Sequence, residues 1–538
     1  MSPQQTGDRE VELVDPDTVR TLGDVARQQA AARGAAPAFV FEGRITSYAA
    51  FDRHANRIAN AMIAEGLKPG DRIAYVGKNS DWFFELIFGA NKAGVVMTPV
   101  NWRLAGPEIV YILRDAAAKI VFVGVEFLEQ VAGLAGELAP GTRFVAMEGP
   151  WNGWPGFEAW RDASGDADPH LPIGWDDVAL QLYTSGTTGR PKGAMLTNAN
   201  LLGMRGGQFG PPAAWNSWTS DDVSLVAMPN FHIGGAGWGI MGLYNGAKGV
   251  VAREFSPLAV LDFIEQERIS KIFMVPAAMQ IVVRHPRARE IDWSCMKYLL
   301  YGASPIPLEL LKECMEVFGC GFVQMYGMTE TTGTIVALPP EDHVPEGSPR
   351  MRSAGKPLPG VEIAILDEAG NRLKPHEVGE IATRSLANMK GYWNLAEATA
   401  KTIDTEGWLR TGDAGYLDED GYVYIHDRVK DMIITGGENV YPAEVENAIF
   451  GHPDVEEVAV IGVPDEKWGE AVKAVVAPKK GRSPSPAEII AYARERIAAY
   501  KAPKSIDFIE ALPRNPSGKI LRRELREPYW QGIDRRVN

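Results

Sequence analysis

The chain reads as an α/β protein. The expected arrangement is a large N-terminal domain of mixed, largely parallel sheets with helices and a small β-rich section, then a small C-terminal α+β domain. Three observations predict this. At 538 residues the chain exceeds what one core needs. Its first half alternates helix-period and strand-like segments, the rhythm of parallel sheets joined by helices. From about Gly379 glycines and aspartates become dense and the strands short and alternating, which marks a compact antiparallel section.

The elements follow in chain order. Tyr48, Phe51, Ala55, Ile58 and Met62 recur at spacings of three and four, one face of an amphipathic helix. Pro69-Gly70-Asp71 breaks that helix, and Arg72 to Val76 reads as a short buried strand. Asp81 to Ala93 is helical again and Val95 to Val100 strand-like, a rhythm repeated at Ile272 to Val275 and Lys297 to Tyr301. Tyr422 to Ile425 belongs to the antiparallel section. Beyond it come a helix near Glu444 to Phe450, strands near Val455 to Val463 and Ala471 to Val476, and a helix from Pro486 to Ala499. No internal repeat or low-complexity linker separates these parts, so the domain junction is short and expected near Lys430. That gives domains 1–429 and 430–538.

Composition narrows the function classes. An apolar share of 45% with 23% charged residues is that of a soluble globular chain. A net charge of −14 argues against nucleic-acid binding, while local lysines and backbone amides can still bind phosphates. Cys295, Cys314 and Cys320 form no C-x-x-C pair and are too few to staple the chain, so a reducing cytoplasm is expected. The N-terminus lacks an apolar signal region and no run of 18 apolar residues occurs, so neither export nor a membrane span is expected. Peripheral membrane contact is left open. The eight histidines are scattered, without zinc or iron spacing.

The strongest local signal is Tyr183-Thr184-Ser185-Gly186-Thr187-Thr188-Gly189-Arg190-Pro191-Lys192-Gly193, after the strand-like Val178 to Leu182. Glycines permit tight turns, and hydroxyls, amides and Lys192 supply donors for polyphosphate oxygens. A Walker A loop would need a Gly-Lys-Ser/Thr ending. Here Pro191 precedes Lys192 and Gly193 follows it, so a P-loop NTPase is disfavoured. By composition alone a flexible surface loop is an equal reading.

This loop resembles the phosphate-loop signature of the adenylate-forming superfamily, which comprises acyl-CoA synthetases, peptide-synthetase adenylation domains and beetle luciferases. Seven more blocks match in the family's order: Met228-Pro229-Asn230-Phe231-His232, Tyr301-Gly302-Ala303-Ser304-Pro305, Gln324 to Glu330, Gly407 to Asp413, Arg428 to Asp431, Gly436 to Glu444, and Pro516 to Lys519. The Tyr441-Pro442-Ala443-Glu444 region most resembles fatty-acyl-CoA ligases.

The resemblance implies a ligase that activates a carboxylic acid with ATP and Mg²⁺ as an acyl-adenylate, then transfers the acyl group to coenzyme A. It implies that Thr184, Ser185, Gly186, Thr187, Thr188 and Lys192 cradle phosphates, and that Tyr326, against Gly302-Ala303-Ser304, flanks adenine with Gly327 and Thr329 in the same block. Asp413 and Arg428 bind ribose or phosphate on this reading. Glu330 with Thr184 holds Mg²⁺, a hard cation suited to oxygen ligands. His232 sits beside the acyl carboxylate as a positioning residue. Lys519 bridges that carboxylate and the α-phosphate, where charge builds in the transition state. The C-terminal domain is mobile, turning on Lys430 so that Gly437 lines a pantetheine channel in the second step. A homodimer is the family-level expectation.

Three other readings stay in view. One is an adenylating enzyme that loads a carrier protein, another a luciferase-like oxygenase, and the third a plain nucleotide-binding protein. The acid is expected to be fatty or otherwise bulky and apolar, with aryl or steroid side-chain acids as the alternative. Many long-chain members carry tryptophan four residues after the motif histidine. Here that position is Ala236, with Trp238 two residues later. The glycines from Gly234 to Gly239 either leave room for the acid or allow close helix packing.

Overall fold

A computed structural model describes residues 15, 17–184, 190–205, 212–428, 431–435, 438–465, 467–514 and 520–531. The N-terminal part holds two large sheets. A nine-stranded sheet runs Lys356–Pro357, Gly333–Leu338, Gly321–Met328, Tyr298–Gly302, Lys271–Met274, Val223–Val226, Lys248–Val251, Pro37–Phe41, Arg44–Ser47. Its central strands are parallel and its outermost pairs antiparallel. A seven-stranded sheet runs Gly391–Tyr392, Lys192–Thr197, Val178–Thr184, Val96–Val100, Arg72–Val76, Ile120–Val123, Arg143–Ala146. It too is parallel except where Lys192–Thr197 pairs with its two neighbours.

Between the sheets lies a shared helical layer. Helix Tyr48–Ala64 starts at Ser47, whose hydroxyl accepts from the Ala50 amide at 3.2 Å, and buries Tyr48, Phe51, Ala55, Ile58 and Met62, the face expected from their spacing. Helix Asp81–Lys92 is buried on every side. It packs so closely on its neighbour that a Cβ at Gly89 would sit 2.4 Å from the Ile58 side chain. The charged groups this helix carries inside are paired. Lys92 Nζ donates to Asp52 at 2.6 Å and Asp168 at 2.8 Å, and Glu85 accepts from Arg161 at 2.9 Å.

A four-stranded antiparallel sheet, Glu362–Leu366, Gly379–Arg384, Leu409–Leu417 and Val423–Arg428, forms the small β-rich section. It begins one strand before Gly379, because Glu362–Leu366 pairs along its full length with Gly379–Arg384. The C-terminal strands Ile433–Thr435, Glu438–Val440, Val455–Asp465, Gly469–Pro478 and Ser505–Phe508 form a separate sheet. It packs with helices Pro442–Phe450 and Pro486–Arg494 around its own core. The last of these helices stops at Arg494 rather than Ala499, where the Arg496 amide closes a tighter three-residue turn on the Ala493 carbonyl at 2.9 Å. This sheet meets the N-terminal part through Phe450, which packs on both cores, and through Glu456, which accepts from Gln280 at 3.3 Å and pairs with Arg284.

Among the described residues, no helix is long and apolar enough to cross a membrane. Cys295, Cys314 and Cys320 are free thiols.

Candidate nucleotide and acyl site

The site gathers where strands of both large sheets and the small β-rich section end. Strands Val178–Thr184 and Lys192–Thr197 are antiparallel partners with Thr184 opposite Lys192, so they present both ends of the glycine-rich loop at one sheet edge. Ser185, Gly186, Thr187 and Thr188 lie outside the described residues.

Glu330 sits in the tight turn Thr329–Thr331, directly after strand Gly321–Met328. The neighbouring strand Tyr298–Gly302 ends with Gly302 opposite Met325, which sets the Gly302-Ala303-Ser304 segment beside the strand that carries Tyr326. Ala303 is left-handed at φ 68°, a conformation that costs a non-glycine residue about 1 kcal/mol. At Gly327 no side chain is possible, since a Cβ would lie 1.7 Å from the Gly333 carbonyl oxygen.

These elements bring several of the expected residues together. Thr184 Oγ1 donates to Glu330 Oε1 at 3.2 Å. Tyr326 Oη donates to Asp413 Oδ2 at 2.7 Å. Asp413 lies within strand Leu409–Leu417 rather than in a loop, with its amide held by Thr411 Oγ1 at 3.1 Å. Arg428 is its partner across the sheet, though the Arg428 side chain lies outside the described set. Lys430, Gly437 and Lys519 also lie outside the described residues.

Glu330 is only 5% exposed, and among the described residues it has no ion-pair partner. Among those residues both hydrogen bonds to its carboxylate come from neutral hydroxyls and both end on Oε1: Thr184 and Tyr392, the latter at 2.8 Å. A buried carboxylate without a counter-charge is costly, so this donor set fits a hard divalent cation arriving with a polyphosphate. No group of three histidine, cysteine, aspartate or glutamate side chains forms a metal cage among the described residues.

The other half of the site is built around His232, the residue that opens helix Ile233–Tyr244. Burial, reinforced by the positive charge of Arg103, lowers its pKa to about 4, so the ring is neutral at physiological pH. Its Nε2 is sealed from solvent and has no hydrogen-bond partner among the described residues, as is true of Asn230 Nδ2 and Oδ1. Beside the histidine, Phe231 packs at 4.5 Å between ring centroids, and Arg103 lies 4.0 Å over Trp102.

The glycines of this helix divide by face. A Cβ at Gly235 would meet the Pro229 carbonyl at 2.3 Å, and one at Gly239 would enter the Phe84 ring at 2.1 Å. Those two serve close packing. At Gly237 a Cβ would meet only Ile233, and Ile233, Gly234, Gly237 and Met241 form the half-open face of the helix. Trp238 points the other way, donating from Nε1 to the Leu225 carbonyl at 3.1 Å, and Ala236 is fully buried.

Sequence reasoning missed Tyr392 and Arg103. Neither has a helical or strand period that would single it out, and Tyr392 lies 62 residues from Glu330.

Known proteins resemble this chain over most of its length. Residues 26–393 match the family model described as AMP-binding enzyme, and residues 444–519 match the AMP-binding enzyme C-terminal domain. The fatty acid–[acyl-carrier-protein] ligase ScoC of Streptomyces coeruleorubidus is 43% identical over 503 residues, 93% of this chain and 95% of that protein. A feruloyl-CoA synthase of Amycolatopsis is 41% identical, covering 90% of this chain and 94% of its own. ATP-bound MatB from Rhodopseudomonas palustris superposes with a TM-score of 0.81 at 33% identity, over 90% of this chain and 94% of that one.

Proposed function

The chain belongs to the AMP-binding enzyme family, and we propose that it joins an apolar carboxylic acid to coenzyme A through an acyl-adenylate, releasing pyrophosphate and AMP. The family's ligase chemistry and its use of ATP are the premise; the acid, the thiol and the role of each residue are the proposal. The observation that carries it is the buried carboxylate of Glu330, which meets no cation among the described residues, beside Thr184 and directly after the strand whose Tyr326 bonds Asp413.

In this reading Mg²⁺, when bound with ATP, neutralises phosphate charge and favours attack at the α-phosphorus. Glu330 and Thr184 hold it, and Lys192 with the 185–188 hydroxyls and amides holds the phosphates. Tyr326 faces adenine across from Gly302-Ala303-Ser304, and Asp413, held by the Tyr326 hydroxyl, accepts from the ribose hydroxyls. Lys519 supplies positive charge to the carboxylate and α-phosphate as the bond between them forms. His232, held neutral, orients the acyl carboxylate rather than pairing with it. The 430–538 domain turns about Lys430 between the two steps, and Gly437 then lines the path of the thiol. Three free thiols are in keeping with work in a reducing cytosol.

The acid lies along the half-open face formed by Ile233, Gly234, Gly237 and Met241, which is apolar and bounded by Phe273. That face suits a fatty or aryl acid. Similarity to a fatty acid–[acyl-carrier-protein] ligase supports a second reading, in which a carrier protein takes the place of CoA.

One experiment separates these readings. The purified protein is given ATP, Mg²⁺ and a panel of short, medium, long, aryl and sterol acids, with pyrophosphate and AMP measured separately. Acid-dependent pyrophosphate release followed by CoA-dependent AMP release is expected. AMP release only with a phosphopantetheinylated carrier selects the second reading, and no acid-dependent pyrophosphate across the panel removes both. Lys519→Ala should lose pyrophosphate release yet still form thioester from a preformed acyl-adenylate; equal loss of both removes the role given to Lys519.

A further inference from the structure

Glu330 and Lys192 are oppositely charged groups of the nucleotide side, and one side chain touches both. Tyr392, 7% exposed, donates from Oη to Glu330 Oε1 at 2.8 Å while its ring lies 4.9 Å beneath the Lys192 ammonium. We propose that Tyr392 is a positioning residue for the metal–nucleotide complex. Its hydroxyl holds one Glu330 oxygen so that Oε2 faces the cation, and its ring keeps Lys192 off that carboxylate and free for phosphate. The inference rests on the ligase reading above.

The backbone around Tyr392 is fixed from three sides. Its two-residue strand Gly391–Tyr392 pairs with Met195 and Ala194 of strand Lys192–Thr197. Just before it the Met389 amide donates to the Glu330 carbonyl at 2.8 Å, and just after it the Trp393 amide donates to the Gly193 carbonyl at 2.8 Å. Trp393 is itself pinned, with Arg72 3.3 Å over its ring and Nε1 donating to the Asp115 carbonyl at 2.9 Å. The segment 389–393 therefore ties the turn that carries Glu330 to the strand that carries Lys192.

The chemistry of the phenol suits this place. A neutral donor stabilises one carboxylate oxygen without cancelling the charge that a cation needs, whereas a lysine or arginine there would neutralise Glu330. With Tyr392 and Thr184 both on Oε1, Oε2 accepts no bond from any described residue. The ring face meanwhile offers the Lys192 ammonium a favourable electrostatic partner. With Tyr392 in contact with both groups, Lys192 and Glu330 are held apart, and removal of the ring would let them approach each other.

The test uses the full chain and Mn²⁺·ATP, with free Mn²⁺ followed by electron paramagnetic resonance and metal-free ATP binding by calorimetry. Tyr392→Phe keeps the ring and loses the hydroxyl. It should weaken Mn²⁺·ATP binding about tenfold while leaving metal-free ATP affinity unchanged, the size expected for one bond to a charged group. Tyr392→Leu should also weaken metal-free ATP binding, about fivefold, because Lys192 is then quenched by Glu330. Unchanged Mn²⁺·ATP binding in Tyr392→Phe overturns the proposal. So does an equal loss with and without metal, which is what a merely structural tyrosine would give. Failure of the unaltered protein to bind Mn²⁺·ATP at all overturns the ligase reading, and this inference with it.

Discussion

Around Glu330 the polar side chains bond to one another before any ligand arrives, whereas around His232 the polar atoms are sealed in without partners. Thr184, Tyr392 and Glu330 form one set on the nucleotide side, and Tyr326 with Asp413 another. On the acyl side His232 Nε2 and both ends of the Asn230 carboxamide have no partner among the described residues, and the surrounding contacts are packed rings and glycines. A bonded network fixes the position of each donor, so on the proposed reading the nucleotide half is shaped for one ligand. Packing fixes volume instead, and on the same reading the acyl half takes a different acid when one side chain changes.

This contrast can be broken. Asp413→Ala should have the largest effect, lowering kcat/KM for ATP about 100-fold through loss of charged hydrogen bonds worth about 1.5–3 kcal/mol each. KM for the acid should hardly move; an equal rise there would show that the halves are not separable.

Next come two alanines in one helix. Gly239→Ala must displace the Phe84 ring and should cost about 1–3 kcal/mol of stability, read as a lowered thermal midpoint. Gly237→Ala faces only Ile233, so stability should change by less than about 0.5 kcal/mol. Its effect belongs to specificity, about tenfold against the bulkiest acid accepted. If both alanines destabilise equally, the division of faces fails.

A further effect is in pH. His232 titrates at about 4 in the fold, against about 6.5 in an unfolded chain. Between those values the unfolded chain binds the extra proton, so the stability from this group is fully present above 6.5 and is lost as pH falls toward 4. With allowance for the residue's partial exposure the contribution is on the order of 2 kcal/mol. Urea unfolding at pH 4.5 and 7.5 should show His232→Gln flattening the difference; an unchanged slope would mean the imidazole is not held neutral.

Much of the site was legible because its residues lie in compact blocks. Thr184, Glu330, Tyr326 and Asp413 each stand in a short run whose residue types suit phosphate, metal, purine or ribose, and the fold brings those four within two bonded sets. The helix–strand alternation was legible for the same local reason, since Tyr48–Ala64 and Arg72–Val76 show their periods within a few residues. Tyr392 was not legible. Its two-residue strand is too short for a period, and its meaning lies wholly in partners from two distant strands and one turn. The glycines of helix Ile233–Tyr244 left room and packing as equal readings, because composition cannot say what faces a missing Cβ. Phe84 at Gly239 and the Pro229 carbonyl at Gly235 supply that answer.

The contact between the C-terminal sheet and the N-terminal part has a consequence for timing. Among the described residues its polar portion includes Glu456 with Gln280 and Arg284, both charges partly open to solvent. Exposed pairs of this kind contribute about 0.2–1 kcal/mol, which shifts a two-position equilibrium only a few-fold. For a domain that changes orientation once per product, as proposed here, a clasp of that strength favours one position without trapping it. A much stronger pair would make release of the clasp the slow step of every cycle.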